Sequence, residues 1–251
     1  MSFILKVLSA AAVVGAARAS NFHVFDNTAY TNTSIGYQST NINWIPAYVC
    51  NPLTKGGFLP SVTEWKNIVL EWNVYPGYPL VLDCEDIYFT NESTADLYLE
   101  ILSSLQTWAA EVIPPGQIIG WYGLSHAFFP SAYTFSSSIS TWNNSLNSVI
   151  NTITAINDTL PIWPYTWPQY HNNYSFIPVE LWETELEILS SNSHLDGFVI
   201  WGGKNYAVCN DSCQATAGQQ PWLNATRSYL SNLYGIYNGK LQKTGAQIFS
   251  L

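Results

Sequence analysis

Tyr78-Pro79-Leu80-Val81-Leu82-Asp83-Cys84-Glu85-Asp86 is a short apolar run that ends in an Asp-x-Glu pair. The run predicts a β-strand over 80–83. Side chains alternate along a strand, so Asp83 and Glu85 are expected on one face at its C-terminal end, with Cys84 on the other. Two carboxyl groups this close resist double ionisation, which raises one pKa. A carboxylic acid that keeps its proton near neutral pH is what cleavage of a glycosidic bond requires. The same letters also fit an ordinary surface Asp and Glu at a strand end.

Working outward, strands are expected at 21–26, 42–49, 117–122, 160–166 and 197–203, with a further short one at 128–133. Helices are expected at 61–73, 94–112, 136–156, 179–190 and 222–237. The second carries Leu97, Leu99, Ile101, Leu102, Leu105 and Trp108 at helical spacing, and Pro114-Pro115-Gly116 stops it. Strands alternating with helices argue a parallel sheet. About seven such units argue an α/β fold of TIM type, a (β/α) barrel, over an open sheet. The absence of G-x-G-x-x-G and of a P-loop disfavours a nucleotide-binding sheet. A chain of 251 residues suits one large domain, here 20–251 after a leader at 1–19. A barrel carries its functional groups at the C-terminal strand ends. Those positions hold Asp83, Glu85, Tyr122 in Gly120-Trp121-Tyr122-Gly123, Tyr133, Tyr165 with Trp167, and Trp201. Each tyrosine could instead be a packed ring with a satisfied hydroxyl, and Trp201 a core plug.

Charged residues are 10% of the chain and hydrophobic ones 47%, which excludes a disordered protein. Aromatics reach 15%, with 11 Trp and 16 Tyr. They serve core packing, and the clustering of Trp163, Tyr165, Trp167 and Tyr170 also suits a surface that stacks on pyranose rings. The N-terminus reads as a secretory signal. Lys6 precedes the apolar run through Val14, and Ala17-Arg18-Ala19 is an A-x-A cleavage site. Loss of Lys6 and Arg18 moves the formal charge from −9 to −11. No later segment has the length of a membrane span, so the expectation is a soluble, secreted, extracellular monomer. Sequons at Asn32, Asn91, Asn143, Asn157, Asn173, Asn210 and Asn224 agree with export. Four cysteines fit an oxidising compartment and allow three pairings. Cys50–Cys84 is favoured if the strands they end are neighbours, and Cys209–Cys213 by the short loop between them. No C-x-x-C and no His pair at ligand spacing is present, so neither a metal nor another cofactor is expected.

These segments resemble the hyaluronidases, the family with bee-venom and mammalian members. Val81-Leu82-Asp83-Cys84-Glu85 is similar to the family's acidic strand, and Gly120-Trp121-Tyr122-Gly123 to its aromatic strand. Phe129-Pro130-Ser131-Ala132-Tyr133 resembles its Pro-Ser-x-Tyr strand, and Pro164-Tyr165-Thr166-Trp167 its Pro-Tyr-x-Trp segment. Asp196-Gly197-Phe198-Val199-Ile200-Trp201-Gly202 resembles its Gly-hydrophobic-Ile-Trp-Gly strand. The resemblance implies a distorted barrel of about seven strands and a retaining endo-glycosidase that cleaves at N-acetylhexosamine. It makes Glu85 the proton donor and Asp83 the residue that holds Glu85 and orients the acetamido group, whose carbonyl oxygen is the nucleophile. It also assigns Tyr133 to the acetamido oxygen and Trp201 to the wall of the N-acetyl pocket. The family's further Tyr, after a Cys in the next loop, has no counterpart in Leu124-Ser125-His126-Ala127. That role falls to Tyr122 or His126, or is missing.

The partner implied is a polysaccharide or oligosaccharide, with no nucleic acid and no membrane. The family points to hyaluronan or chondroitin. Charge points elsewhere, because a polyanion needs basic partners. Beyond the leader the chain has only Arg227, Lys55, Lys66, Lys204, Lys240 and Lys243, which favours a neutral or cationic amino-sugar polymer. Two other readings stay open. One is a retaining glycosidase with a protein nucleophile, for which Glu180, Glu183 and Asp196 are the candidates. The other is a catalytically silent glycan-binding protein on the same barrel.

Overall fold

The computed structural model describes residues 22–29, 34–36, 39–55, 57–86, 92–122, 128–203 and 221–234. The leader at 1–19, Cys209, Cys213, His126, Lys204 and the sequons at Asn32, Asn91 and Asn210 lie outside the described residues. In chain order the elements are β1 (His23–Ala29), β2 (Thr40–Asn41), β3 (Asn43–Ile45), α1 (Ala47–Thr54), α2 (Val62–Trp72), β4 (Leu80–Leu82), α3 (Glu92–Ala110), β5 (Ile119–Trp121), α4 (Ile139–Ile156), β6 (Tyr165–Thr166), α5 (Val179–Ser191), β7 (Gly197–Gly203) and α6 (Pro221–Leu233). The fold is mixed α/β. Among the described residues the strands bond as two sheets, in orders β2-β1-β7-β6 and β3-β4-β5, with no closed ring. The described residues divide into two compact units. One falls within Met1–Thr40, Ala132–Thr152 and Ile162–Gln242, the other within Asn41–Ser131, Ile153–Pro161 and Lys243–Leu251.

The second unit holds the parallel sheet β3-β4-β5, with Ile45, Leu82 and Trp121 side by side. The ladder runs one residue past β4 and β5: Asp83 N–H donates to the Ile45 carbonyl at 3.0 Å, and Tyr122 N–H to the Leu82 carbonyl at 2.9 Å. Helix α2 starts where Ser61-Val62-Thr63-Glu64 supplies a capping signal, and the Ser61 hydroxyl accepts the Glu64 N–H at 3.1 Å. Its Trp65 packs in a core with Ile101, Leu105 and Ala109 of α3 and with Leu80 and Leu82 of the sheet. The Trp65 indole finds its acceptor in the Leu105 carbonyl, at 2.7 Å.

In the first unit β1 and β7 pair in parallel from His23↔Gly197 to Ala29↔Gly203. Gly197 has φ +150°, and a Cβ there would lie 1.8 Å from the His23 carbonyl oxygen, so only glycine lets the two strands meet at this end. Helices α5 and α6 pack through Trp182 and Trp222, edge to face at 6.4 Å.

Several strands are shorter than the sequence suggests, two of them by most of their length. The run at 42–49 is a strand only over Asn43–Ile45, after which Pro46 caps α1. The run at 160–166 is a strand only over Tyr165–Thr166, because Pro161 and Pro164 bring no N–H to a ladder. The segment around Pro130 makes only isolated bridges, Trp121↔Phe128 and Thr134↔Tyr170.

Candidate functional site

Asp83 and Glu85 follow β4, but not as equivalents. Regular strand ends at Leu82, so strict alternation stops before the pair and Glu85 sits in a turn. Asp83 is 6% exposed, whereas Glu85 faces solvent. Asp83 Oδ2 accepts the Trp44 indole N–H at 3.2 Å, and Oδ1 makes no hydrogen bond among the described residues. Burial, then the charge of Glu85, pushes the Asp83 pKa up to about 7, while the Trp44 indole and the Ala47 amide pull it back. Glu85 is also raised, by partial burial of its carboxyl first and by Asp86 second. Two carboxyl groups raised in pKa thus stand at one strand end.

Helix α1 fastens this acidic turn three times. The Ala47 amide, at the helix N-terminus, acts on Asp83. Asn51 Oδ1 accepts the Asp86 N–H at 3.2 Å. Cys50 and Cys84 form the expected disulfide, with Cα atoms 5.0 Å apart. Cys50 is a buried residue inside α1, where a strand end was expected. The next strand over adds Tyr122, half-buried, whose backbone joins Leu82.

The other expected site residues gather in the first unit. Tyr133 packs against Trp201 at 5.7 Å and Trp167 at 6.0 Å, and Trp167 meets Trp201 edge-on at 4.8 Å. Solvent reaches Tyr133, and also Phe135, His171 and Tyr174 around it. Tyr165 is fully buried, and its hydroxyl accepts from Asn27 Nδ2 at 3.3 Å. Tyr174 sits at φ +65°, a strained backbone for a tyrosine, and its ring lies 5.9 Å from Trp167.

Sequence reasoning missed two residues. His171 stacks on Tyr133 at 5.2 Å with rings 16° from parallel, and burial holds it below the usual histidine pKa. Glu185 is fully buried on α5, beneath Thr134. Of the proposed nucleophiles, Glu180 and Glu183 are exposed on α5. Asp196 spends Oδ2 on the Ile162 N–H and its carbonyl on the His23 N–H, tying strand starts together. Two sequon asparagines in loops accept from their own sequon's third residue: Asn157 from Thr159 and Asn173 from Ser175.

Searches of family models and of curated proteins each find no match. Among solved structures, bee venom hyaluronidase in a monoclinic crystal matches with TM-score 0.59 and 12% identity, over 82% of this chain and 99% of that one. Bee venom hyaluronidase in complex with a hyaluronic acid tetramer matches with TM-score 0.42 and 14% identity, over 79% of this chain and 68% of that one. The first likeness establishes a hyaluronidase-like fold and nothing finer.

Proposed function

We propose that this chain is a secreted retaining endo-glycosidase that cleaves an N-acetylhexosamine-containing glycan by substrate-assisted catalysis. The observation that carries the reading is the pair of carboxyls, both raised in pKa, on a strand end of a hyaluronidase-like fold. Glu85 is the proton donor: it is raised in pKa and reachable by a leaving oxygen. Asp83 is too buried to serve a bulky substrate as the first acid, and it orients the acetamido group and Glu85. The acetamido oxygen attacks the anomeric carbon as the glycosidic bond breaks, and Glu85 gives its proton to the departing oxygen. Glu85, now ionised, takes a proton from the water that opens the oxazolinium ion. Tyr133, Trp167 and Trp201 supply the rings on which sugar faces stack, with Tyr122 and Tyr165 supporting.

The deciding experiment assays the purified protein on chitin oligomers, hyaluronan, chondroitin and partly deacetylated polymers. Release of reducing ends that Glu85→Gln abolishes supports the reading. Binding without hydrolysis, indifferent to Glu85→Gln, would make the chain a silent glycan-binding protein. A thiazoline analogue of the N-acetylhexosamine is expected to inhibit competitively and far below the substrate KM, because it resembles the oxazolinium ion. A sugar ester isolated on Glu180, Glu183 or Asp196 would instead assign a protein nucleophile.

Charge selects among substrates. Lys66 is already paired with Glu111 at 2.5 Å, and the Arg227 guanidinium donates to the Ser34 carbonyl at 2.6 Å. Among the described residues that leaves Lys55 as the remaining Lys or Arg. Hydrolysis of a neutral chitin oligomer should therefore be flat across an ionic-strength series, and any hyaluronan cleavage should rise as salt screens repulsion. Fast hyaluronan cleavage that slows with salt would defeat the charge argument.

A further inference from the structure

We propose that Glu185 is a positioning residue for the Tyr133–His171 ring pair, acting through Thr134 and only while its carboxyl is uncharged. Glu185 and Thr134 are both fully buried. Thr134 Oγ1 donates to Glu185 Oε1 at 2.8 Å, and Glu185 Oε2 has no hydrogen-bond partner among the described residues. Thr134 in turn holds both rings of the pair. Its carbonyl accepts the His171 N–H at 2.8 Å, and its backbone continues directly from Tyr133. The segment is pinned upstream, where Ala132 N–H donates to the Tyr165 carbonyl and the Trp142 indole to the Ala132 carbonyl, each at 2.8 Å. Among the described residues Glu185 is the side-chain hydrogen-bond partner of Thr134, so it adds a tether from α5 to the segment that carries Tyr133, beside the ring contacts with Trp167 and Trp201.

A carboxylate could not hold this position. It would be buried with one hydrogen bond and no cation, a costly arrangement. Arg227 and Tyr229 on α6 are engaged with Ser34 and with the Leu186 carbonyl. Strand β7 offers no titratable group. His171 is turned into its ring stack, and Glu180, Glu183 and Glu187 of the same helix are exposed. None pairs with Glu185. Burial pushes the Glu185 pKa up to about 8, opposed by the Thr134 hydroxyl. A raised carboxyl pKa favours the folded arrangement at low pH, and that contribution fades as pH rises through the folded value. The latch is therefore closed in acid and at neutrality and opens in mild alkali.

The test uses the full-length protein without sugar first. Near-ultraviolet circular dichroism and tryptophan fluorescence sum over all 11 Trp of the chain, Trp167 and Trp201 beside Tyr133 among them, and the far-ultraviolet signal reports the backbone. Between about pH 6 and about pH 9 the aromatic signals should change with a midpoint of about 8 while the far-ultraviolet signal holds. Glu185→Gln keeps the shape and the acceptor but cannot ionise, so it should remove the transition. Asp83→Asn should keep it, which separates the latch from the other high-pKa carboxyl. Asp83, bonded to the Trp44 indole, titrates in the same window, so the comparison is decided in the Asp83→Asn background: a transition with a midpoint of about 8 that persists in Asp83→Asn/Glu185→Gln, or its absence in Asp83→Asn, overturns the proposal.

For sugar binding the inference rests on the reading of this cluster as a glycan platform. In that arm the parent should lose about tenfold in affinity for an N-acetylglucosamine oligomer over the same range, against twofold or less in Glu185→Gln. A ligand-free transition that Glu185→Gln removes upholds the latch even if no sugar binds, an outcome that would count against the glycan reading alone.

Discussion

Glu85→Gln is expected to lower hydrolysis of the susceptible amino-sugar polymer by about 10²–10⁴, with the melting temperature unchanged. An amide offers the leaving oxygen no acidic proton, so the alkoxide would have to depart unprotonated. Because Glu85 faces solvent in a turn, replacing its carboxyl by an isosteric amide leaves packing alone. Asp83→Asn should cost less in rate and more in stability. Asp83 is buried and accepts the Trp44 indole, so an amide in the wrong orientation would set N–H against N–H. Initial rates and thermal melts on the same preparations check both. Near-normal rates in Glu85→Gln would place the acid elsewhere and remove the central assignment.

The parts of the chain that were legible are those where one local rule acts alone. Strand β7 ends in glycines, α2 begins with a capping box, and α3 carries its apolar residues at helical spacing. Where two rules compete, the reading slips. Apolar letters at 42–49 and 160–166 call for strand, but Pro46, Pro161 and Pro164 withdraw donors, and the ladder ends early. The Asp-x-Glu pair was found by spacing, yet spacing assumes that the strand continues. With β4 ending at Leu82, one carboxyl goes inward and the other outward, and that asymmetry separates the acid from its support. Glu185 was hidden among the glutamates of α5, which together look like a solvated face. The signal was its phase: Glu185 lies three residues after Trp182 and four before Leu189, on the buried side of the helix.

Opening the Cys50–Cys84 disulfide is expected to cost about 3–4 kcal/mol of stability, from the chain entropy of a loop of this length. The bridge spans a sequence separation of 34 and ties α1 to the residue between Asp83 and Glu85. Its loss should therefore reach further than stability. With the covalent tie gone, α1 holds the acidic turn through the Asn51–Asp86 hydrogen bond and the pull of the Ala47 amide on Asp83, both of which water can replace. The Asp83–Glu85 distance then varies, and activity should fall by more than the folded fraction does. Denaturant midpoints and rates of the native protein, its reduced form and the Cys50→Ala/Cys84→Ala double variant measure the two effects separately. Equal rates per folded molecule would confine the bridge to a purely structural part. Non-reducing peptide mapping that joins Cys50 to Cys209 or Cys213 would show that α1 does not brace the acidic turn covalently.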